Sequence, residues 1–159
     1  LTYTVKDILN IAIRSEEEAE LYYSRLGDKT DNVFFKEKLK HLSEEESKHK
    51  ALILSLMEQK GVNVGISEEK AVSIEMPSLL FDDSKPMSVL IEAAMGAEKA
   101  AREFYTSLSE VVNGEREKTL LRYLASMEAS HYHLLEGELM AIKHFEDYDD
   151  FFEMMHVGP

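Results

Sequence analysis

Glu16 and Glu46 stand 30 residues apart, and so do Glu98 and Glu128, the second pair repeating the first at an offset of 82. The repeat extends to the side chains around them. Glu16, Ala19 and Tyr23 recur as Glu98, Ala101 and Tyr105, and Glu46 with His49 recurs as Glu128 with His131. An internal duplication of this kind requires each half of the chain to form the same supersecondary unit.

That unit is helical. Prolines occur only at positions 77, 86 and 159, and the stretches between breakers are rich in Glu, Lys, Leu, Ala and Met, which favour helix. Four helices are predicted, over residues 5–26, 32–59, 86–112 and 115–145, with a short C-terminal helix over residues 147–155. Thr4 and Asp7 form a candidate capping box, Asp31 a candidate N-cap, and Gly27, Gly61 and Gly114 candidate stops. Only a few residues join the first helix to the second and the third to the fourth, which makes each pair an antiparallel hairpin (about 5–60 and 86–145). Residues 61–85 are far too many for a tight turn. They are enough to run the length of the second helix and start the third at the opposite end. The expectation is one all-α domain over residues 1–159, a four-helix bundle with a long crossover between its second and third helices.

Core-facing positions, taken at alternating steps of three and four, give one stripe per helix. These are Leu9, Ala12, Glu16, Ala19, Tyr23 and Leu26; then Phe35, Leu39, Leu42, Glu46, His49, Ile53 and Leu56. The third and fourth are Ile91, Ala94, Glu98, Ala101, Tyr105, Leu108 and Val112, and Leu121, Leu124, Glu128, His131, Leu135, Glu138 and Ile142. A Glu interrupts every stripe near its middle, and a His follows it in the second and fourth. No Lys or Arg falls on any stripe to offset these acids. A carboxylate in an apolar core is costly unless it is paired or bound to a metal. Two divalent cations would neutralise the four acids. Glu46 and Glu128 are the natural bridges between them, Glu16 and Glu98 would each cap one ion, and His49 and His131 would each bind one. Mixed carboxylate and imidazole donors suit iron or manganese better than copper. The cofactor expected is a pair of iron ions, with manganese or zinc as alternative occupants.

Tyr23 and Tyr105 are either hydrogen-bond donors to acids on neighbouring helices or amphipathic core fillers. The other members of the Glu runs at 16–18 and 44–46 read as exposed acids, and Glu138 as a partly solvated residue toward the bundle end. His41, His133, His144 and His156 have no repeated counterpart and read as surface or interface residues.

Composition narrows the classes further. The formal charge of -13, from 31 acidic and 18 basic residues, repels phosphate backbones and argues against nucleic-acid binding. No apolar run approaches the roughly 20 residues that cross a bilayer, and no export signal is evident, so a soluble cytoplasmic protein is expected. Cysteine is absent, which removes thiolate chemistry, iron–sulfur clusters and cysteine-held iron.

The six residues and their spacings resemble the rubrerythrin-like branch of the ferritin-like superfamily, over nearly the whole chain apart from the crossover and tail. By that resemblance Glu16, Glu46, His49, Glu98, Glu128 and His131 match the family's di-iron ligands. It implies an oxidoreductase acting on peroxide or dioxygen, or else an iron-oxidising, iron-binding or storage protein without peroxidase turnover. It also implies a homo-oligomer, most simply a dimer. Two departures qualify it. No rubredoxin-type iron can be present, so an electron donor would be a separate molecule. Ala101 occupies the place of an additional carboxylate three residues beyond the third-helix ligand, which leaves the set closer to a bacterioferritin-type centre.

Overall fold

A computed structural model describes residues 5–58 and 76–156. Nearly all of them lie in four helices: α1 (Val5–Lys29), α2 (Val33–Glu58), α3 (Met87–Val111) and α4 (Glu115–His156). No strand occurs among the described residues. The buried residues of α2 are Phe35, Leu39, Leu42, Glu46, His49, Ile53 and Leu56, the stripe read from its periodicity. Tyr22, Leu90 and Phe104 are also buried, one position to the side of the predicted stripes. They widen the apolar faces of α1 and α3, and the Tyr22 hydroxyl donates to the Leu90 carbonyl across that interface at 2.5 Å.

Two apolar clusters define the helix directions. One joins Leu9 and Ala12 early in α1, Ile53 and Leu56 late in α2, Leu108 late in α3, and Leu121 and Leu124 early in α4. The other joins Tyr23 and Leu26 late in α1, Leu39 and Leu42 in the first half of α2, Ile91 and Ala94 early in α3, and Leu135, three turns beyond Leu124 near the middle of α4. So α1 and α2 are antiparallel, as are α3 and α4. Because α2 ends in the first cluster and α3 begins in the second, the chain between them must travel the length of the bundle. Met76 packs on the first cluster, whereas Leu79 and Phe81 pack on the second. The Leu79 N–H is held by the Glu18 carboxylate at 3.1 Å, which ties this strap to α1. Residues 59–75 of the predicted crossover lie outside the described residues. Two hairpins joined by one long crossover make a ferritin-like four-helix bundle.

Three boundaries differ from those predicted. α1 runs through Gly27 to Lys29, because the glycine keeps a helical backbone, and a Cβ there would meet the Leu39 side chain at 3.8 Å, an ordinary contact. The cap of α2 is Asn32, not Asp31: its side-chain oxygen accepts the Phe35 N–H at 3.0 Å. The predicted short C-terminal helix is not a separate element. α4 continues unbroken to His156, since the acidic and aromatic stretch after Phe145 contains no Gly or Pro to stop it. The predicted Thr4 capping box lies outside the described residues.

Candidate metal centre

Between the two apolar clusters the four stripes present Glu16, Glu46, His49, Glu98, Glu128 and His131, all buried. They form two overlapping groups. Glu16, Glu46, His49 and Glu128 have donor atoms within 4.8 Å of one another, and so do Glu46, Glu98, Glu128 and His131. Glu46 and Glu128 belong to both groups, which are exchanged by the 82-residue repeat. The His49 and His131 rings stack nearly parallel, with centroids 5.6 Å apart and planes at 11°, as two halves related by an approximate twofold should.

Each imidazole turns Nδ1 toward the carboxylates. His49 Nδ1 lies 3.1 Å from Glu128, 3.3 Å from Glu46 and 3.6 Å from Glu16. His131 Nδ1 lies 2.8 Å from Glu46, 3.4 Å from Glu98 and 4.0 Å from Glu128. The tyrosines cross between the halves: the Tyr23 hydroxyl donates to Glu98 and the Tyr105 hydroxyl to Glu16. Burial, reinforced by these carboxylates, raises both phenols well above their ordinary range, so they remain protonated donors.

No Lys or Arg is buried among the described residues. Two imidazolium ions at most face four carboxyl groups, so a closed salt-bridge network does not balance. Without cations, protons have to serve. Burial and the neighbouring Glu98 and Glu16 charges push the Glu46 carboxyl well above its usual range, and burial with Glu46 and Glu98 does the same to Glu128. For Glu98 burial acts upward, but hydrogen bonds with Glu128, His131 and Tyr23 prevail and hold it below its ordinary value. Burial opposes charge on the histidines, yet the facing carboxylates push His49 up to about 12 and His131 to about 9. Glu46 Oε2, Glu98 Oε2 and His49 Nε2 are buried without a hydrogen bond. Excess acid, captured protons and orphaned donor atoms are what a site shaped for cations shows in their absence.

A cavity of about 10 Å³ adjoins the cluster, lined by Glu16, Ala19, Tyr23, Glu98, Ala101 and Met76 among others. That is close to the room one water needs. The small side chains at 19 and 101 keep it open, and a carboxylate at 101 would project into it.

Glu45, expected at the surface, is not an exposed acid. It is half-buried, and its Oε2 lies 2.6 Å from His131 Nε2. Burial acts to raise its carboxyl, but the hydrogen bond and charge of His131 outweigh it and hold the group below the usual carboxylate value. Glu18 is likewise half-buried, through the strap, whereas Glu17 and Glu44 are exposed. Glu138 is partly buried and pairs with Lys38. His41, His133 and His144 are exposed, as expected; the side chain of His156 lies outside the described residues.

Comparison with known proteins agrees with this construction. A hypothetical protein from Pyrococcus furiosus superposes with a TM-score of 0.75 at 34% identity, over 90% of this chain and 92% of that one. A Thermotoga maritima protein, proposed to be a ferritin-like diiron-carboxylate protein, superposes with a TM-score of 0.71 over 87% of this chain and 95% of that one; at 19% identity it attests the fold alone. A search of curated proteins found no match. Residues 7–139 match the rubrerythrin family model, which takes in all four helices and all six buried Glu and His residues. The chain belongs to the rubrerythrin family.

Proposed function

We propose that this protein is a non-haem di-iron oxidoreductase that reduces peroxide or dioxygen with electrons from an external donor. The observation that carries this reading is the pair of overlapping donor sets sharing Glu46 and Glu128. Glu16 and His49 would complete one iron position, Glu98 and His131 the other. Two bound iron ions would supply the electrons, cycling between the two and three plus states. The protein's own residues set the conditions. Four carboxylates match the charge of two divalent ions, and the Tyr23 and Tyr105 hydroxyls hold Glu98 and Glu16 in place. The apolar clusters on either side keep bulk water from the centre. The cavity beside Ala19 and Ala101 marks the side from which a small oxidant would approach Glu16 and Glu98.

A cytoplasmic setting goes with this reading, because reduced iron and a donor must both reach the protein, and the family resemblance adds a homodimeric assembly to the proposal. Manganese or zinc would fit the same donors, but zinc would bring no redox chemistry.

Anaerobically ferrous-loaded protein should consume peroxide faster than free ferrous ion under the same conditions. Glu46→Ala and Glu128→Ala should each abolish that advantage and lower affinity for the ion pair by more than about 100-fold, beyond the usual effect of a supporting residue. Oxidation no faster than that of free iron would defeat the enzyme reading. Rapid oxidation that stops after one turnover, even with a donor supplied, would favour iron oxidation and binding instead. Ala101, where the resemblance places a further carboxylate, is the feature that makes this second outcome worth measuring.

A further inference from the structure

The two halves match closely at the centre and diverge just outside it. Carried through the repeat, Glu45 corresponds to Met127 and His41 to Tyr123. The consequence appears at the outward nitrogen of each imidazole. His131 Nε2 lies 2.6 Å from Glu45 Oε2, and Glu45 Oε1 in turn lies 3.0 Å from Nε2 of the exposed His41. His49 Nε2 is buried and has no hydrogen bond. One imidazole is therefore anchored at both nitrogens and the other at one.

We propose that Glu45 is a positioning residue that makes the two metal positions inequivalent, the Glu46–Glu98–Glu128–His131 position being the tighter and the Glu16–Glu46–His49–Glu128 position the weaker. The inference rests on the two-metal reading above. A carboxylate accepting the Nε2–H of His131 fixes the tautomer that leaves the Nδ1 lone pair facing Glu46 and Glu98, holds the ring plane, and makes Nδ1 more basic. His49 receives none of these aids. Its ring is held only at Nδ1, 3.1 Å from Glu128, and by stacking on His131, and its outward nitrogen has no partner. Supporting carboxylates of this kind change metal affinity by roughly 10–100-fold. Loading should thus be stepwise, with the first ion beside His131 and the exchangeable ion beside His49.

The test is a cobalt(II) titration of the metal-free full chain, followed by calorimetry and by the visible absorption of the bound ion. Wild type should bind two ions in steps separated by about 10-fold or more. Glu45→Gln keeps the size of the side chain but weakens the acceptor, and should loosen only the tighter step, by about 10–100-fold. Met127→Glu restores the repeat on the other side and should tighten only the weaker step. Two ions bound with equal affinity by wild type, or a Glu45→Gln effect that is nil or equal on both steps, overturns the inequivalence while leaving the two-metal reading intact. Fewer than two ions in wild type removes that reading and this inference together. If circular dichroism shows that Glu45→Gln has lost its helices, the Met127→Glu titration decides by the same criterion.

Discussion

The bundle has two kinds of interior. At either end leucine, isoleucine, tyrosine and alanine from all four helices fill the space, with Leu39 and Leu42 at one end and their repeat counterparts Leu121 and Leu124 at the other fully buried. Between these ends lies a layer in which four glutamates and two histidines are equally buried. The ends gain free energy by leaving water, about 1.5–3 kcal/mol per large side chain. The middle layer costs free energy by the same transfer, and recovers it through captured protons or, on the reading above, bound cations. A family fold can thus divide its work: the ends hold the helices in register, and the layer they enclose is free to be chemically unfavourable on its own.

The largest effects should come from the ends. Leu42→Ala or Leu124→Ala should cost about 2–5 kcal/mol in denaturant unfolding, while cobalt(II) stoichiometry stays at the wild-type value. A loss of metal binding out of proportion to the loss of stability would show that the two regions are not separable. In the middle the sign should reverse. Replacing Glu46 and Glu128 together by Met should stabilise the metal-free protein by about 1–4 kcal/mol while ending its capacity for paired ions. If the double variant is less stable than metal-free wild type, the acids support the fold themselves and the contrast fails.

Tyr23→Phe removes a hydroxyl donor to Glu98 without changing the shape of the core. It should cost about 1–3 kcal/mol, read from the same unfolding curves, because a buried carboxylate loses a partner. An effect near zero would return Tyr23 to the role of core filler.

The effect that is smallest per step of the variable is one of pH. In the fold His131 keeps its proton up to about 9, against 6.5 for the free side chain. Its stabilising contribution is whole below about pH 6.5 and gone above about pH 9, because the folded state holds the extra proton in that window. His49, pushed up to about 12, and the raised Glu46 and Glu128 carboxyls act in the same direction. Metal-free protein should therefore lose stability as pH rises through this window, on the order of 1 kcal/mol per pH unit, in melts followed by circular dichroism. Metal-loaded protein should lack this decline, since cations take the place of the protons, and ion uptake should release protons into a weakly buffered solution.

Much of this was legible in the residues alone. Helical periodicity places a side chain on a face whatever that face packs against, so the α2 stripe from Phe35 to Leu56 could be written down before any partner helix was known. The repeat did the rest for the centre, because two copies of one hairpin carry matching residues to matching heights. What escaped had the opposite character. The exposure of Glu45 depends on His131, 86 positions away, and on its aim across the α2–α4 interface. The cap at Asn32 depended on its side-chain oxygen reaching the Phe35 N–H, whereas the reach of α4 to His156 follows from a stretch without Gly or Pro and was legible in the sequence.

Linear order therefore established four helices, their inward faces and the six residues that interrupt them, since each of these is a property of spacing. Folding alone settled which acid beside the centre is an anchor and which is ordinary surface. Glu44, Glu45 and Glu46 are one residue type in a row, and only the rotation of about 100° per residue around the helix, set against a particular neighbour, makes the first exposed, the second a partner of His131 and the third part of the buried cluster.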